Sequence, residues 1–176
     1  MSARMIGVVF AAAAALAGCG GGASGTSTAK GGAAAASAAG GGLAIVASDA
    51  SVATGGTFTV DVVALSPVPN VFGGGFDLRY DPALLEFVSA DTSASALHGA
   101  VDQVALRNQT PGAVVFARSK QGQVAGEDVQ GLLARFTFRA RAAGQARIAM
   151  ADLGLVDGAG TDMYLMTPAG VNVAVR

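Results

Sequence analysis

The segment from residue 71 to residue 88 constrains the fold more than any other part of the chain. In an extended strand, residues two apart lie on the same side, so the large side chains of its first half would share one face. They are Phe72, Phe76, Leu78 and Tyr80. The pair Asp81-Pro82 predicts a tight corner, after which Leu85 and Phe87 continue at strand spacing. The segment therefore predicts two strands that supply the large side chains of a β-sheet core.

Three consecutive glycines, Gly73, Gly74 and Gly75, interrupt the first of these strands. Glycine weakens the interior of a strand unless it permits a bulge or the close approach of another backbone. We therefore expect the strand to kink at this point or to present a narrow outer face.

Alternation of apolar and polar residues predicts half-buried strands at 57–65 and 132–139. The side chains predicted to face the core are Phe58, Val60, Val62 and Ala64 in the first strand, and Leu132, Ala134, Phe136 and Phe138 in the second. Pro67 and Pro69 break the pattern and predict a crossing between residues 57–65 and the segment 71–88. Further strands are predicted at Leu43–Ala47, 101–106, 113–117, 145–150, 154–156 and Val171–Val175.

Helical periodicity is not sustained over three turns anywhere after residue 43. Many short strands separated by turns at this spacing are typical of β-sandwiches and jelly rolls. The sequence therefore predicts an all-β domain over residues 43–176, which is close to the commonest domain size.

The N-terminal region predicts export. Arg4 is followed by an apolar run at residues 5–16, which is shorter than the roughly 20 residues that a membrane-spanning helix needs. Residues 1–18 are therefore predicted to be a signal peptide. Leu16-Ala17-Gly18-Cys19 resembles the lipobox of bacterial lipoproteins, which implies that Cys19 is diacylated and becomes the first mature residue. The alternative is an ordinary signal peptide followed by an incidental cysteine.

Residues 19–42 are predicted to be the lipidated cysteine and a flexible linker, because Gly, Ala, Ser and Thr supply too little apolar surface to offset chain entropy. Cys19 is the only cysteine, so no internal disulfide can form. Gly20, the residue after it, would by the same resemblance direct the protein to the outer membrane of a bacterium with two membranes. The expected location is the cell envelope.

The charge balance argues against nucleic-acid binding. Without Arg4 and Lys30, nine basic residues remain against twelve acidic ones, a net charge of −3 for residues 43–176. Binding to nucleic acid needs a basic face or stripe, which this composition does not favour.

With these elements placed, the domain resembles the cohesin family and the related carbohydrate-binding sandwich modules. The matching segments are 55–62, 71–80 followed by Asp81-Pro82-Ala83-Leu84-Leu85-Glu86-Phe87, 131–138 with Gly144 after it, and the Asp157-Gly158 turn. The resemblance covers residues 43–176. It implies a nine-stranded antiparallel β-sandwich with jelly-roll topology that binds another protein, most familiarly a calcium-loaded dockerin, through a flat sheet face.

Five residues are candidates for partner binding: Asp77, Arg79, Arg135, Thr137 and Arg139. The first two alternate with apolar residues of the segment 71–88 and would face outward. Arg135 and Arg139, together with Arg141, would form a row that could meet an acidic partner and mainly affect the association rate. The alternative for this row is a solvated face, or an edge strand protected against aggregation.

The sequence gives little indication of a catalytic site or a metal site. His98 is the only histidine and lies in a predicted loop of small residues, so it is interpreted as a solvated loop residue and not as part of a triad or metal site. The run from Asp157 to Asp162, with Asp152 upstream, could gather calcium ligands, but its spacing does not match an EF-hand and indicates a turn. Asp77, Asp81 and Glu86 carry no sign of an acid–base pair. We expect no enzyme, no metal and no cofactor.

The resulting prediction is a membrane-tethered protein-binding module of the bacterial cell envelope. Its partner would be a dockerin-like protein or another envelope or secreted protein. A carbohydrate-binding module is an alternative, although the chain has no Trp and its only tyrosines are Tyr80 and Tyr164. A structural subunit of an envelope or secretion assembly is a further alternative.

Overall fold

The structure is a computed structural model that describes residues 34–35, 42–102 and 110–176. These ranges contain eleven β-strands and no helix. The strands are β1 (Ala34–Ala35), β2 (Leu43–Ala47), β3 (Ser51–Val52), β4 (Thr57–Tyr80), β5 (Leu85–Asp91), β6 (Val101–Asp102), β7 (Ala113–Ser119), β8 (Glu127–Ala140), β9 (Gly144–Asp157), β10 (Asp162–Met163) and β11 (Val171–Val175). No helix able to cross a membrane is found in the described part of the chain.

The strands form two layers. In the first layer the order is β1-β2-β4-β8-β5, with the N-terminal half of β4 taking part. In the second layer the order is β6-β7-β4-β9-β11-β3, with the C-terminal half of β4 taking part and β10 added beside β9. The predicted all-β sandwich is confirmed.

The crossing predicted at Pro67 and Pro69 joins the two layers. Up to Ala64, β4 pairs with β2 and β8. Its pairing with β8 continues to Val71, where pairing with β9 begins, and β7 joins at Gly73. Between these halves its pairing with β8 shifts register twice. Proline cannot donate to a ladder, so the two prolines lie where the chain leaves one layer for the other.

The strand count and orientation differ in detail from the sequence-based expectation of nine antiparallel strands. Four of the eleven strands in the described ranges have only two residues, which is too short to produce an alternating pattern in the sequence. The β3–β11 pair is parallel. The predicted strands at 145–150 and 154–156 are one strand, β9, which is interrupted by a positive φ of 51° at Asp152.

Several predicted segments fall on residues outside the described ranges. They are the signal peptide at 1–18, Cys19, most of the linker, and residues 103–106 of the strand predicted at 101–106. Within the predicted linker, Ala34 and Ala35 form β1 and pair with β2.

The main core lies between the two layers and is built from the alternating residues of β4 and β8. Phe58, Val60 and Val62 face it from the first half of β4, and Phe76, Leu78 and Tyr80 face it from the second half. Phe136 and Phe138 are completely buried in it. A second, smaller cluster forms around Leu43, Val68, Val71, Val129 and Leu155.

Two side chains predicted to face the core do not belong to either buried cluster, and bulges explain both. Phe72 is half-buried because the β4–β9 register shifts between Val71 and Gly73. Leu132 is half-buried because the β4–β8 register shifts between Val62 and Val63, so that Leu133 packs against the core instead. An extra residue in one strand reverses the side-chain alternation beyond it.

The three consecutive glycines lie where neighbouring backbones approach most closely. A Cβ on Gly73 would lie 2.5 Å from Ser119 Cβ, and one on Gly75 would lie 2.6 Å from the carbonyl oxygen of Phe116. A Cβ on Gly74 would overlap the Leu155 side chain and lie 2.6 Å from the carbonyl oxygen of Gly154. The β4–β9 register also shifts on both sides of the glycines, which confirms the predicted kink and close approach.

This packing predicts that Gly74→Ala destabilises the domain by about 1–3 kcal/mol, because the added methyl group overlaps backbone that cannot rotate away. The matched control is Gly154→Ala on the neighbouring strand, where a Cβ would meet nothing within 4 Å. We expect that variant to stay within about 0.5 kcal/mol of the wild type. Urea unfolding measures both free energies, and equal stability of the two variants would contradict the proposed close approach.

Candidate functional site

The outer face of the first layer is polar where β4, β8 and β5 lie side by side, whereas Val46 of β2 lies beside Asp61. Three strands contribute three cross-strand rows to it, because the residues of β4, β8 and β5 that face away from the core lie opposite one another. The rows are Asp61–Arg135–Asp91, Thr59–Thr137–Ser89 and Thr57–Arg139–Glu86. We call these nine residues the polar face.

Carboxylates compensate the charge of the arginines on the polar face. Arg135 donates two hydrogen bonds to Asp61, from Nε and Nη2, each at 2.7 Å. The hydrogen bond and charge of Asp61 raise the pKa of Arg135, to which the charge of Asp91 also contributes. Arg139 lies opposite Glu86. The polar face thus carries three carboxylates and two arginines, so Arg135 and Arg139 do not form a free cationic patch.

Asp91 at the edge of the polar face also has a shifted pKa. The backbone N–H of Ser93 donates to its carboxylate at 2.8 Å, and this bond, the Ser93 hydroxyl and the charge of Arg135 together hold the pKa below its ordinary value of 3.8. Because the folded state lowers this pKa, the contribution of the carboxylate to stability is present above the ordinary pKa. It is lost as the pH falls through the lowered one.

The outer face of the second layer is made mostly of small residues. Three strands again contribute three rows, this time from β7, β4 and β9. The rows are Ala117–Gly75–Gly154, Val115–Asp77–Ala151 and Ala113–Arg79–Ala149. We call these nine residues the small-residue face. Seven of the nine residues are glycine, alanine or valine, and Ala113 among them is buried, so the exposed part of the surface is flat apart from the charged side chains.

One group of charges lies on the small-residue face. Arg79 Nη2 is 2.5 Å from Asp77 Oδ2 and 3.3 Å from Asp152 Oδ2. The side chain of Asp77 is mostly buried, whereas that of Asp152 is exposed at the bulge of β9. Two carboxylates thus share one guanidinium, and the group carries a net negative charge.

The five residues predicted to bind a partner lie on opposite faces of the sandwich. Asp77 and Arg79 belong to the small-residue face, and Arg135, Thr137 and Arg139 belong to the polar face. A single flat partner surface cannot contact both sets. Arg141 follows the end of β8 and is outside the three rows.

The loop residues singled out in the sequence have local roles. His98 is exposed, its backbone N–H donates to Glu127 Oε1, and its Nδ1 lies 3.6 Å from Glu127 Oε2. Asp157 Oδ1 accepts the backbone N–H groups of Ala159 and Thr161 at 2.9 and 2.8 Å, which confirms that this run is a turn. Within the described ranges, no group of three or more His, Cys, Asp or Glu residues could hold a metal ion.

Two features were missed at the sequence level. A cleft of 580 Å³ lies beyond the end of the small-residue face, between the loop 122–125 and the turn 157–160, with Phe72 in its lining. Arg118 points inward from β7 beside a cavity of about 30 Å³, where its Nη1 donates to Asp102 at 2.9 Å. The sequence does carry a signal for the inward-pointing Arg118, because alternation along β7 puts this arginine at a position that faces the core.

Tyr164 is 95% exposed and is the one exposed aromatic side chain in the described ranges. Met163 and Leu165 on either side of it pack against the second hydrophobic cluster. A sugar-binding platform needs rings that a sugar can stack on. A single isolated ring does not form such a platform.

The family model that matches this chain is the cohesin domain, over residues 43–172. The chain belongs to the cohesin family. The resemblance found in the sequence is thereby confirmed for the domain, whereas the lipobox lies outside the matched residues. No curated protein matches the chain.

Solved cohesin structures have the same fold. The sixth cohesin of scaffoldin B from Acetivibrio cellulolyticus, in complex with a Cel5 dockerin mutant, is 14% identical with a TM-score of 0.61, covering 77% of this chain and 99% of that chain. A cohesin module of a family 33 glycoside hydrolase from Clostridium perfringens is 12% identical with a TM-score of 0.60, covering 77% of this chain and 96% of that chain. A chain of a type I cohesin–dockerin complex from Clostridium thermocellum is 12% identical with a TM-score of 0.56, covering 72% of this chain and 90% of that chain. At these identities the similarity establishes the fold.

Proposed function

We propose that this cohesin domain is a membrane-tethered protein-binding module of the bacterial cell envelope, and that its partner binds the small-residue face. The family match over residues 43–172 is the observation that carries the binding role, because cohesins are protein-interaction modules and not an enzyme family. The partner is a dockerin-like protein or another envelope or secreted protein. Two of the similar cohesins were solved in complexes with dockerins, which supports a partner of that kind.

Desolvation favours the small-residue face over the polar face. A partner on the polar face would have to remove water from the Asp61–Arg135 pair and from three threonine hydroxyls without improving on bonds that are already made. On the small-residue face, alanine and glycine lose no side-chain entropy when covered. The Arg79 group must also lose water on this face, but its Asp77 is already mostly buried, and the group is the one polar feature there that fixes the orientation of a partner.

The tether is the second part of the proposal. Cys19 follows a short apolar segment and the lipobox-like tripeptide, and the linker after it contains no residue larger than lysine. A lipid on Cys19 would hold the domain at a membrane while the small-residue face stays accessible to a partner. In a bacterium with two membranes, the outer one is the proposed location.

The binding site is tested by one pair of matched variants, Ala151→Gln on the small-residue face and Thr137→Gln on the polar face. Residues 43–176 are used to capture a partner from secreted and envelope proteins, with and without calcium, and the purified partner is then titrated calorimetrically. We expect Ala151→Gln to weaken binding at least about tenfold, because a long side chain breaks the flat contact, and Thr137→Gln to change it less than about twofold. Absence of any partner, or loss of binding in Thr137→Gln alone, would contradict the proposal.

The tether is tested by Cys19→Ser in the full chain. We expect the wild-type protein to carry a diacylglyceryl mass on residue 19 and to partition into the detergent phase, and the variant to lose both properties because serine lacks the thiolate that is alkylated. Mass spectrometry of the mature N-terminus measures this directly. An unmodified Cys19, with cleavage elsewhere, would indicate an ordinary signal peptide instead.

A further inference from the structure

The cleft beyond the small-residue face is shaped by main chain more than by side chains. It is an open cleft with a volume of about 580 Å³, which is within the size range of ligand sites. Gly122 and Gly160 in its walls have φ values of 77° and 79°, a conformation that residues with a side chain rarely adopt. The Gly158 N–H donates to the carbonyl oxygen of Asn70 at 3.2 Å, and the Asn70 N–H donates to Asp128 at 3.0 Å, so one wall is tied to the end of the sandwich.

Main-chain polar groups, the Gln123 amide, several apolar side chains and a single charged side chain line this cleft. Phe72 and the exposed Val124 provide the larger apolar surfaces, and Ala125 and Ala159 add smaller ones. Asp157 is the one charged residue in the lining. The basic residue nearest in sequence, Lys120, is engaged with Glu127 at 3.4 Å and is not part of the lining.

The carboxylate of Asp157 is held in place but only partly satisfied. Its Oδ1 accepts two backbone N–H groups of the turn, from Ala159 and Thr161. Its Oδ2 has no hydrogen-bond or ion-pair partner within the described part of the chain. A fixed carboxylate near the apolar side chains of Phe72 and Val124 suits a ligand with an aliphatic stem and a terminal positive charge.

We propose that this cleft receives a lysine or arginine side chain of the bound partner. The inference rests on the proposed function, since the occupant belongs to the protein that covers the adjacent small-residue face. The three strands of that face, β7, β4 and β9, lead directly into the cleft at Phe72, Asp157 and the loop after Ser119. An acidic side chain would be repelled by Asp157, and an apolar one would cover its free oxygen without pairing it.

The test uses probes that need no partner. The ¹⁵N-labelled full chain carrying Cys19→Ser, in mild detergent, is titrated with the N-methylamides of Nα-acetyl-lysine and Nα-acetyl-arginine, and with the uncharged Nα-acetyl-norleucine analogue. We expect saturable shifts of the backbone amide signals of residues 122–125 and 158–160, with the norleucine probe binding at least about threefold more weakly.

Two charge-matched variants complete the test. Asp157→Asn keeps an oxygen that can accept the two turn N–H groups but removes the charge, so we expect the lysine probe to bind at least about threefold more weakly. Glu86→Gln removes an exposed carboxylate on the opposite, polar face and should leave the titration unchanged. Equal binding of lysine and norleucine probes, an unaffected Asp157→Asn variant, or no localised shift up to about 50 mM would overturn the assignment. None of these outcomes depends on the Ala151→Gln result, so the two proposals fail separately.

Discussion

The contact of Phe136 with both layers is the interaction on which the rest of the structure depends. Its ring lies 5.9 Å from that of Phe76 and 5.6 Å from that of Phe116, in edge-to-face geometry. Phe136 belongs to β8 in the first layer, and the other two rings belong to β4 and β7 in the second layer. Such aromatic pairs stabilise a core beyond their area of burial and fix the relative position of the layers.

This core also determines what the two outer faces present. Successive side chains along a strand point to opposite faces, so the neighbours of each inward-facing residue face outward. With Phe58, Phe136 and Phe138 facing inward, the first layer exposes threonines and paired charges. With Phe76, Phe116 and Leu78 facing inward, the second layer exposes glycine, alanine and the Arg79 group. The difference between the faces is therefore a consequence of core packing, and it gives the proposed binding surface its low desolvation cost.

The sequence was sufficient for those parts of the fold that depend on local alternation. The inward residues of 57–64, the crossing at the prolines and the kink at Gly73–75 are examples. Cross-strand neighbours were not predictable, because Asp61, Arg135 and Asp91 are far apart in sequence and meet only through a register set by bulges. A different bulge, in the β4–β9 pair, displaced Phe72 from the core and placed it in the cleft. The structure places the five binding candidates on two different outer faces, and alternation within single strands could not predict that separation.

The proposed partner covers the small-residue face and leaves the polar face in water. Methyl groups on both faces allow a direct measurement, since Ala117 and Ala151 lie on the first and Thr59 and Thr137 on the second. In a complex of methyl-labelled domain with unlabelled partner, saturation of the partner's protons should reduce the signals of the two alanines and leave the two threonines unchanged. Saturation transfer to the threonine methyl groups, with the alanine signals unaffected, would contradict the account.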